Sequence, residues 1–228
     1  MATEVGIVIP FASGACSWRE AALVDVLAWW EASGWPVAVG AGDGAAWVKA
    51  DAVADGLGRL GPLEVVVVAD ADVIPGSLAS VAAAVDVVAG GTYRWAVPHR
   101  LVKRLSGEAT RAWRATGQWP RSGWDRPPYR GQRAGGLVVL DAGLYRDAPL
   151  DRRFVGWGHE DVAADVAWRA LGGAPWRGDA DLFHLWHPPA RKANEAIGSR
   201  PSKLLLDRYR AAAKLGPGAV AALVAAGR

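Results

Sequence analysis

Val5-Gly-Ile-Val-Ile9 is a short apolar run rich in β-branched residues that stops at Pro10, and it reads as a buried strand. Beyond a Gly/Ser loop, Trp18 to Ala32 carries apolar residues at helical spacing and ends before Gly34. Trp35 to Val39 predicts a second strand, broken by Gly40-Ala-Gly-Asp-Gly44, and Ala45 to Leu57 a second helix. Leu63 to Ala69, nearly all valine, predicts a third strand. Strand and helix alternating in this way imply βαβ units and a parallel sheet. Continuous valine suits a strand covered on both faces.

Further along, Pro75 to Val88 predicts a helix, or a helix and a turn. The stretch from Arg94 to Arg133, rich in Trp, Pro and Gly, reads as long loops around one helix at about Gly107 to Thr116. Gly136 to Asp141 is another apolar strand, Leu150 to Gly158 a turn-rich loop, and Glu160 to Leu171 a helix. Ala180 to Trp186 returns toward the sheet, and the alanine-rich tail from about Arg200 is helical. With no repeat and no linker, residues 1–228 read as one α/β domain with a mostly parallel central sheet flanked by helices.

Composition adds little to the fold but narrows the function. Apolar residues make up 51% and charged residues 21%, a globular balance able to fill a sizeable core. The net charge of +3 points to no partner by itself, but ten Lys/Arg against two acids fall between Arg94 and Arg133. One cysteine, Cys16, excludes an internal disulfide and fits a reducing compartment. The start of the chain lacks the pattern of a signal peptide, and no apolar run is long enough to span a bilayer. A cytoplasmic protein is expected. Thirteen tryptophans give weak support for a carbohydrate ligand, because indole rings stack on sugar faces.

Three motifs carry chemistry. In Val65-Val-Val-Val-Ala-Asp70-Ala-Asp72, two aspartates point the same way off an extended chain at the end of a buried strand, where α/β sheets collect ligands. Two such carboxylates repel unless a hard divalent cation lies between them, and that cation can hold a pyrophosphate; the plainer reading is a polar turn closing the strand. In Phe154-Val-Gly-Trp-Gly-His-Glu-Asp-Val162, glycines flank Trp157 and let the loop display its ring, while Glu160 and Asp161 fall at a helix start. Helix capping accounts for one of those acids; a carboxylate beside a sugar-stacking ring is what a general base for a hydroxyl nucleophile needs. Asp165 and Arg169 follow at i+4 spacing and pair. In Leu182-Phe-His184-Leu-Trp-His187-Pro, half of the four histidines lie three apart, and manganese accepts mixed carboxylate and imidazole ligands. His187 is the favoured ligand, with His184 a second ligand or a supporting group.

Taken in order, Ile9-Pro10-Phe11, Asp70-Ala-Asp72, Gly135-Gly136, Gly156-Trp-Gly-His-Glu-Asp161 and His184-x-x-His187 resemble the GT-A fold glycosyltransferases, in particular the galactosyltransferase and N-acetylgalactosaminyltransferase group. The resemblance spans roughly Val5 to Glu195. It implies that Pro10 and Phe11 line the nucleotide base site, and that Asp43 faces the nucleoside. It implies Asp72 and His187 as metal ligands, with Asp70 contacting the ribose or the metal. Gly135 and Gly136 would let backbone approach the donor. Trp157 would bind sugar, Glu160 would hydrogen-bond a sugar, and Asp161 would be the base. The cofactors implied are Mn2+ or Mg2+ and a nucleotide-sugar donor, of which a UDP-sugar carrying Gal, GalNAc, Glc or GlcNAc is the expected form. The partner is a hydroxyl acceptor on glycan, protein, lipid or modified DNA.

Some positions depart from the family pattern. Ala12 stands where many relatives put an arginine, for which Arg19 is a substitute; His159 stands where glycine is common; His184 stands where the animal galactosyltransferases have methionine. The Golgi membrane anchor is missing, which suggests a bacterial or phage setting. A single displacement with Asp161 as base would invert the anomeric centre. The basic stretch would close over the diphosphate, meet an acidic acceptor, or simply be a solvated face. Two rival readings remain at this level: a metal-dependent nucleotidyltransferase or phosphohydrolase, and a non-catalytic carbohydrate- or nucleic-acid-binding module.

Overall fold

The computed structural model describes residues 3–12, 14, 16–42, 46–131, 133–188 and 199–227. Its first half alternates as the hydrophobic pattern predicts: β1 (Val5–Pro10), α1 (Ser17–Glu31), β2 (Val37–Gly40), α2 (Lys49–Leu60) and β3 (Val65–Ala69). Then come β4 (Val73–Pro75), α3 (Leu78–Ala89), β5 (Trp95–Arg104), α4 (Gly107–Thr116) and β6 (Leu137–Asp141). The chain continues through α5 (Ala142–Asp147), α6 (Glu160–Gly172), β7 (Trp176–His184), α7 (Arg200–Leu215) and α8 (Pro217–Ala225).

The strands form one seven-stranded sheet in the order β2-β1-β3-β6-β5-β7-β4. The expected parallel arrangement holds for β2, β1 and β3. Past β3 the sheet is mixed: β6 runs antiparallel to both β3 and β5, β5 and β7 are parallel, and β4 is antiparallel to β7. Side-chain alternation along the strands feeds two apolar layers. Ile7, Ile9, Val65 and Val67 face α1 and α3, while Val8, Val66 and Val68 face α2, α6, α7 and α8. Among the described residues, no helix is long and apolar enough to cross a membrane.

The principal correction concerns the basic segment. Its helix has the predicted bounds, Gly107–Thr116, capped by Ser106, whose side chain accepts from the Ala109 amide. Trp95–Arg104, however, is a ten-residue strand rather than a loop. Pro98 and the charged residues from Arg100 onward hide its alternation, and the pairing with β7 slips on both sides of His99. The other unpredicted elements, β4 and α5, are too short to carry a periodic signal.

Two contacts position the functional residues. Helix α2 docks on the sheet through glycines: a Cβ on Gly40 would lie 1.8 Å from the Ala52 carbonyl oxygen, and one on Gly56 would lie 2.6 Å from Val8 Cγ1. This close seat requires glycine and fixes Lys49 at the start of the helix. The antiparallel register of β4 on β7 pairs Val73 with His184, and the Leu185 amide donates to the Asp72 carbonyl at 2.8 Å. The Asp-x-Asp turn is thereby laid beside the paired histidines.

Candidate active site

Strands β1 and β3 end side by side, so Pro10, Phe11 and the Asp70–Asp72 turn open into one cleft. Its inner recess, about 120 Å³, is lined by Pro10, Phe11, Arg19, Lys49, Asp70 and Glu160 among others. A wider recess of about 510 Å³ continues past Gly135, Gly136, Arg104, Arg126, His184 and His187. Asp70, Asp72, Trp157 and Asp161 border both. Asp43 lies outside the described residues. Every other residue given a binding, catalytic or metal-ligating role from the sequence borders this cleft.

Asp72, His184 and His187 offer ligand atoms that all lie within 4.8 Å of one another. His187 Nε2 is 3.0 Å from Asp72 Oδ2, and His184 Nε2 is 3.6 Å from the same oxygen. Each imidazole places Nδ1 on a backbone carbonyl, His184 on Leu185 and His187 on Pro188. A carbonyl can only accept, so Nδ1 carries the hydrogen and Nε2 of the neutral ring has the lone pair, which at His184 accepts from the Arg104 guanidinium at 2.8 Å. At His187 that lone pair faces a carboxylate oxygen at 3.0 Å, an arrangement that needs a proton or a cation between them. This donor set fits a divalent metal. Burial, with Arg104 and His187 adding, lowers His184 to about 4 against the pull of Asp72. Burial opposes ionisation of Asp72, yet His184, His187 and Arg104 hold its carboxyl below the usual carboxylate range.

Asp70, grouped with the ligands from the sequence, is turned the other way. Its Oδ1 meets Lys49 Nζ at 2.8 Å, and its Oδ2 accepts from the Gly136 amide at 3.2 Å. Burial and then the charges of Asp161 and Asp72 raise it to about 6, with Lys49 opposing them. Gly136 adopts φ +77°, and a Cβ there would lie 2.8 Å from Leu182 Cδ2, so this turn accepts only glycine without strain.

Lys49 also donates to Asp161 Oδ1 at 3.0 Å and is therefore held between the two motifs. Burial pulls the ammonium's pKa down, but Asp161, Asp70 and Glu160 outweigh burial and hold it well above lysine's ordinary value. Sequence reasoning missed this residue. The available signal was a lysine in the first turn of a helix, where the dipole disfavours a cation unless acids from elsewhere compensate.

Beside Asp161, Glu160 is 9% exposed and its Oε2 is buried without a hydrogen-bond partner among the described residues. Burial and then the Asp161 charge push its carboxyl up to about 7. Both acids start α6, entered through His159 at φ +77° between Gly158 and the helix. Trp157 is half-buried, stacked on Trp47 at 5.3 Å, with the Arg19 guanidinium 4.9 Å from its ring centroid. Trp47 and the Arg104 contact to His184, 2.8 Å, also went unrecognised in the sequence.

No family model and no curated protein sequence matches the chain. Solved structures do. Mannosyl-3-phosphoglycerate synthase from Rubrobacter xylanophilus superposes with a TM-score of 0.51 at 15% identity, covering 94% of this chain and 76% of that one. The chain has the GT-A fold. The catalytic domain of Drosophila β1,4-galactosyltransferase 7, solved with xylobiose, gives 0.46 at 14% identity over 88% of this chain and 69% of that one. Glucosyl-3-phosphoglycerate synthase from Mycobacterium tuberculosis, solved with Mn2+, UDP and glucosyl-3-phosphoglycerate, gives 0.44 at 14% identity over 94% and 79%. On this GT-A sheet the cleft lies at the carboxyl ends of β1 and β3, as described above.

Proposed function

We propose that the protein is a metal-dependent, inverting glycosyltransferase that moves a hexosyl group from a nucleoside diphosphate donor, a UDP-sugar, to an acceptor hydroxyl. One observation carries this reading: the Asp72, His184 and His187 cluster and the Glu160-Asp161 pair border one continuous cleft, which Trp157 also lines. Asp72, His184 and His187 hold the cation, and two imidazoles in the set favour Mn2+ over Mg2+. When bound, the cation neutralises charge on the leaving diphosphate.

The chain's own residues do the rest. Pro10 and Phe11 line the base site, and Gly135 and Gly136 let backbone come close to the donor. Lys49 takes one oxygen of Asp161, and no hydrogen bond occupies Oδ2 among the described residues. That oxygen accepts the proton of the acceptor hydroxyl as it attacks. Glu160, protonated below about 7, donates to a sugar hydroxyl. Trp157 supports a sugar face. One displacement from the side of Asp161 inverts the anomeric carbon. The single cysteine, Cys16, suits a cytoplasmic setting in a bacterium or a phage-infected host.

The test is a screen of UDP-Gal, UDP-GalNAc, UDP-Glc and UDP-GlcNAc with and without Mn2+, read by UDP release against glycan, protein, lipid and modified-DNA acceptors. Mn2+-dependent release and an inverted product by NMR are expected. Release of nucleoside monophosphate instead would mark a phosphohydrolase, and no response to any donor would remove the reading.

A further inference from the structure

Arg104 and His184 occupy one rung of the sheet. They are the last residues of β5 and β7 and pair in parallel register, and the Leu105 amide donates to the His184 carbonyl at 2.9 Å. The shared rung sets both side chains on the same face, where Arg104 Nη2 lies 2.8 Å from His184 Nε2. Both ring nitrogens of His184 are thereby assigned. A guanidinium can only donate and the Leu185 carbonyl can only accept, so Nδ1 carries the hydrogen and the Nε2 lone pair is engaged by Arg104. The same lone pair is what His184 must offer as a metal ligand. At His187, by contrast, Nε2 meets the Asp72 carboxylate and no arginine among the described residues.

We propose that Arg104 and a divalent cation are alternative partners of His184 Nε2, and that Arg104, on yielding the lone pair, turns to the diphosphate of the donor. The diphosphate role rests on the glycosyltransferase reading; the exchange at His184 does not. One lone pair serves one partner, and a guanidinium at hydrogen-bond distance from the ligating nitrogen is repelled by a divalent charge there. Arg104 is lightly anchored. Its guanidinium makes no ion pair among the described residues and uses one of its five donors. It lines the wide recess together with Asp72, Gly135, Gly136 and His187. Released into that recess, Arg104 brings its unused donors to charged phosphate oxygens, the partners a planar guanidinium binds best. Yielding His184 and gaining the diphosphate are then coupled, so each of the two bound groups favours the other.

The first probe is Mn2+ alone, titrated by electron paramagnetic resonance against the wild type, Arg104→Ala, His184→Ala and the double variant. Arg104 holds the neighbouring segment through its backbone, whose carbonyl accepts from the Asp125 amide at 2.8 Å, so truncating the side chain keeps that contact. Arg104→Ala is expected to bind Mn2+ at least about fivefold tighter than the wild type, because a competing cation is gone. In the His184→Ala background the same truncation is expected to change affinity by less than about twofold, since the coupled partner is absent. Unchanged or weaker binding by Arg104→Ala overturns the exchange. An equal gain in both backgrounds assigns the effect to the lost charge alone and overturns it too. Pulsed measurements on the wild type count the imidazole nitrogens on Mn2+ without any variant: both histidines are expected, and a single one means that Arg104 keeps His184, which sinks the exchange. UDP titrated at saturating Mn2+ tests the second role, with affinity expected to fall at least about tenfold in Arg104→Ala, the scale of one charge-assisted hydrogen bond. Equal UDP affinity in the two proteins overturns the diphosphate role. UDP bound by neither overturns that role together with the glycosyltransferase reading, and leaves the exchange at His184 standing on the Mn2+ results.

Discussion

Asp72 and His187 meet across 115 residues of chain, Oδ2 to Nε2 at 3.0 Å. The register of β4 on β7 makes the meeting, because pairing Val73 with His184 aligns the residues before and after that rung. Removing the carboxylate removes the one anionic member of the cluster. Asp72→Ala is therefore expected to weaken Mn2+ binding by at least about 100-fold, since even supporting groups around a metal contribute 10–100-fold. Electron paramagnetic resonance of free Mn2+ during titration measures it. Retained affinity in a folded variant would place the metal elsewhere.

Lys49 bridges Asp70 and Asp161 in the cleft, and its removal leaves the two carboxylates facing each other. Breaking a buried ion pair from one side costs about 3–5 kcal/mol. Lys49→Met is expected to lose stability on that scale in urea unfolding at pH 7. Lys49→Met/Asp70→Asn is expected to recover part of it, because the second change discharges one of the stranded carboxylates. A double variant no more stable than the single one contradicts the pairing.

Glu160 links stability to pH in the opposite sense from a surface acid. Its folded-state carboxyl titrates near 7, above the ordinary value of 4.5, because burial and the Asp161 charge oppose ionisation. Between those values the folded protein holds the extra proton, so stability falls as pH rises and the full penalty is present above about 7. Glu160→Gln is expected to raise stability at pH 8 by about 1–3 kcal/mol, the usual cost of an unsatisfied buried group, and to have less effect at pH 5. The same variant is expected to lower transfer less at pH 6 than Asp161→Asn does, because the amide still donates a hydrogen bond.

His99 gives the acid limb. It is 1% exposed, neither ring nitrogen has a hydrogen-bond partner among the described residues, and burial, followed by the Arg177 charge, lowers it to about 3. The unfolded chain takes up a proton below about 6.5 while the folded one does not, so stability is lost as pH falls from there toward 3. At pH 5 the loss from this residue is about 2 kcal/mol. Comparing His99→Leu with wild type by thermal unfolding at pH 7 and pH 5 isolates it: the variant's decline between the two is expected to be the shallower.

Local pattern determined much of this protein. Strand β3 is legible because four consecutive valines suit only a doubly covered strand, and α4 because its amphipathic repeat is bracketed by Ser106 and Gly117. Asp72, His184, His187, Glu160 and Asp161 stood out because unusual residue types recur at short spacing, and short spacing is what a sequence displays. Lys49, Arg104 and Arg177 gave no such sign. Their meaning depends on neighbours far along the chain: Lys49 on Asp161, 112 residues away; Arg104 on His184, 80 away; and Arg177 on the His99 carbonyl, 78 away. Electrostatic partners are chosen by proximity in space, and burial sets how strongly they are felt. Only the docking of α2 through its glycines and the register of β4 on β7 decided which charges stand together at the Asp70-Ala-Asp72 turn.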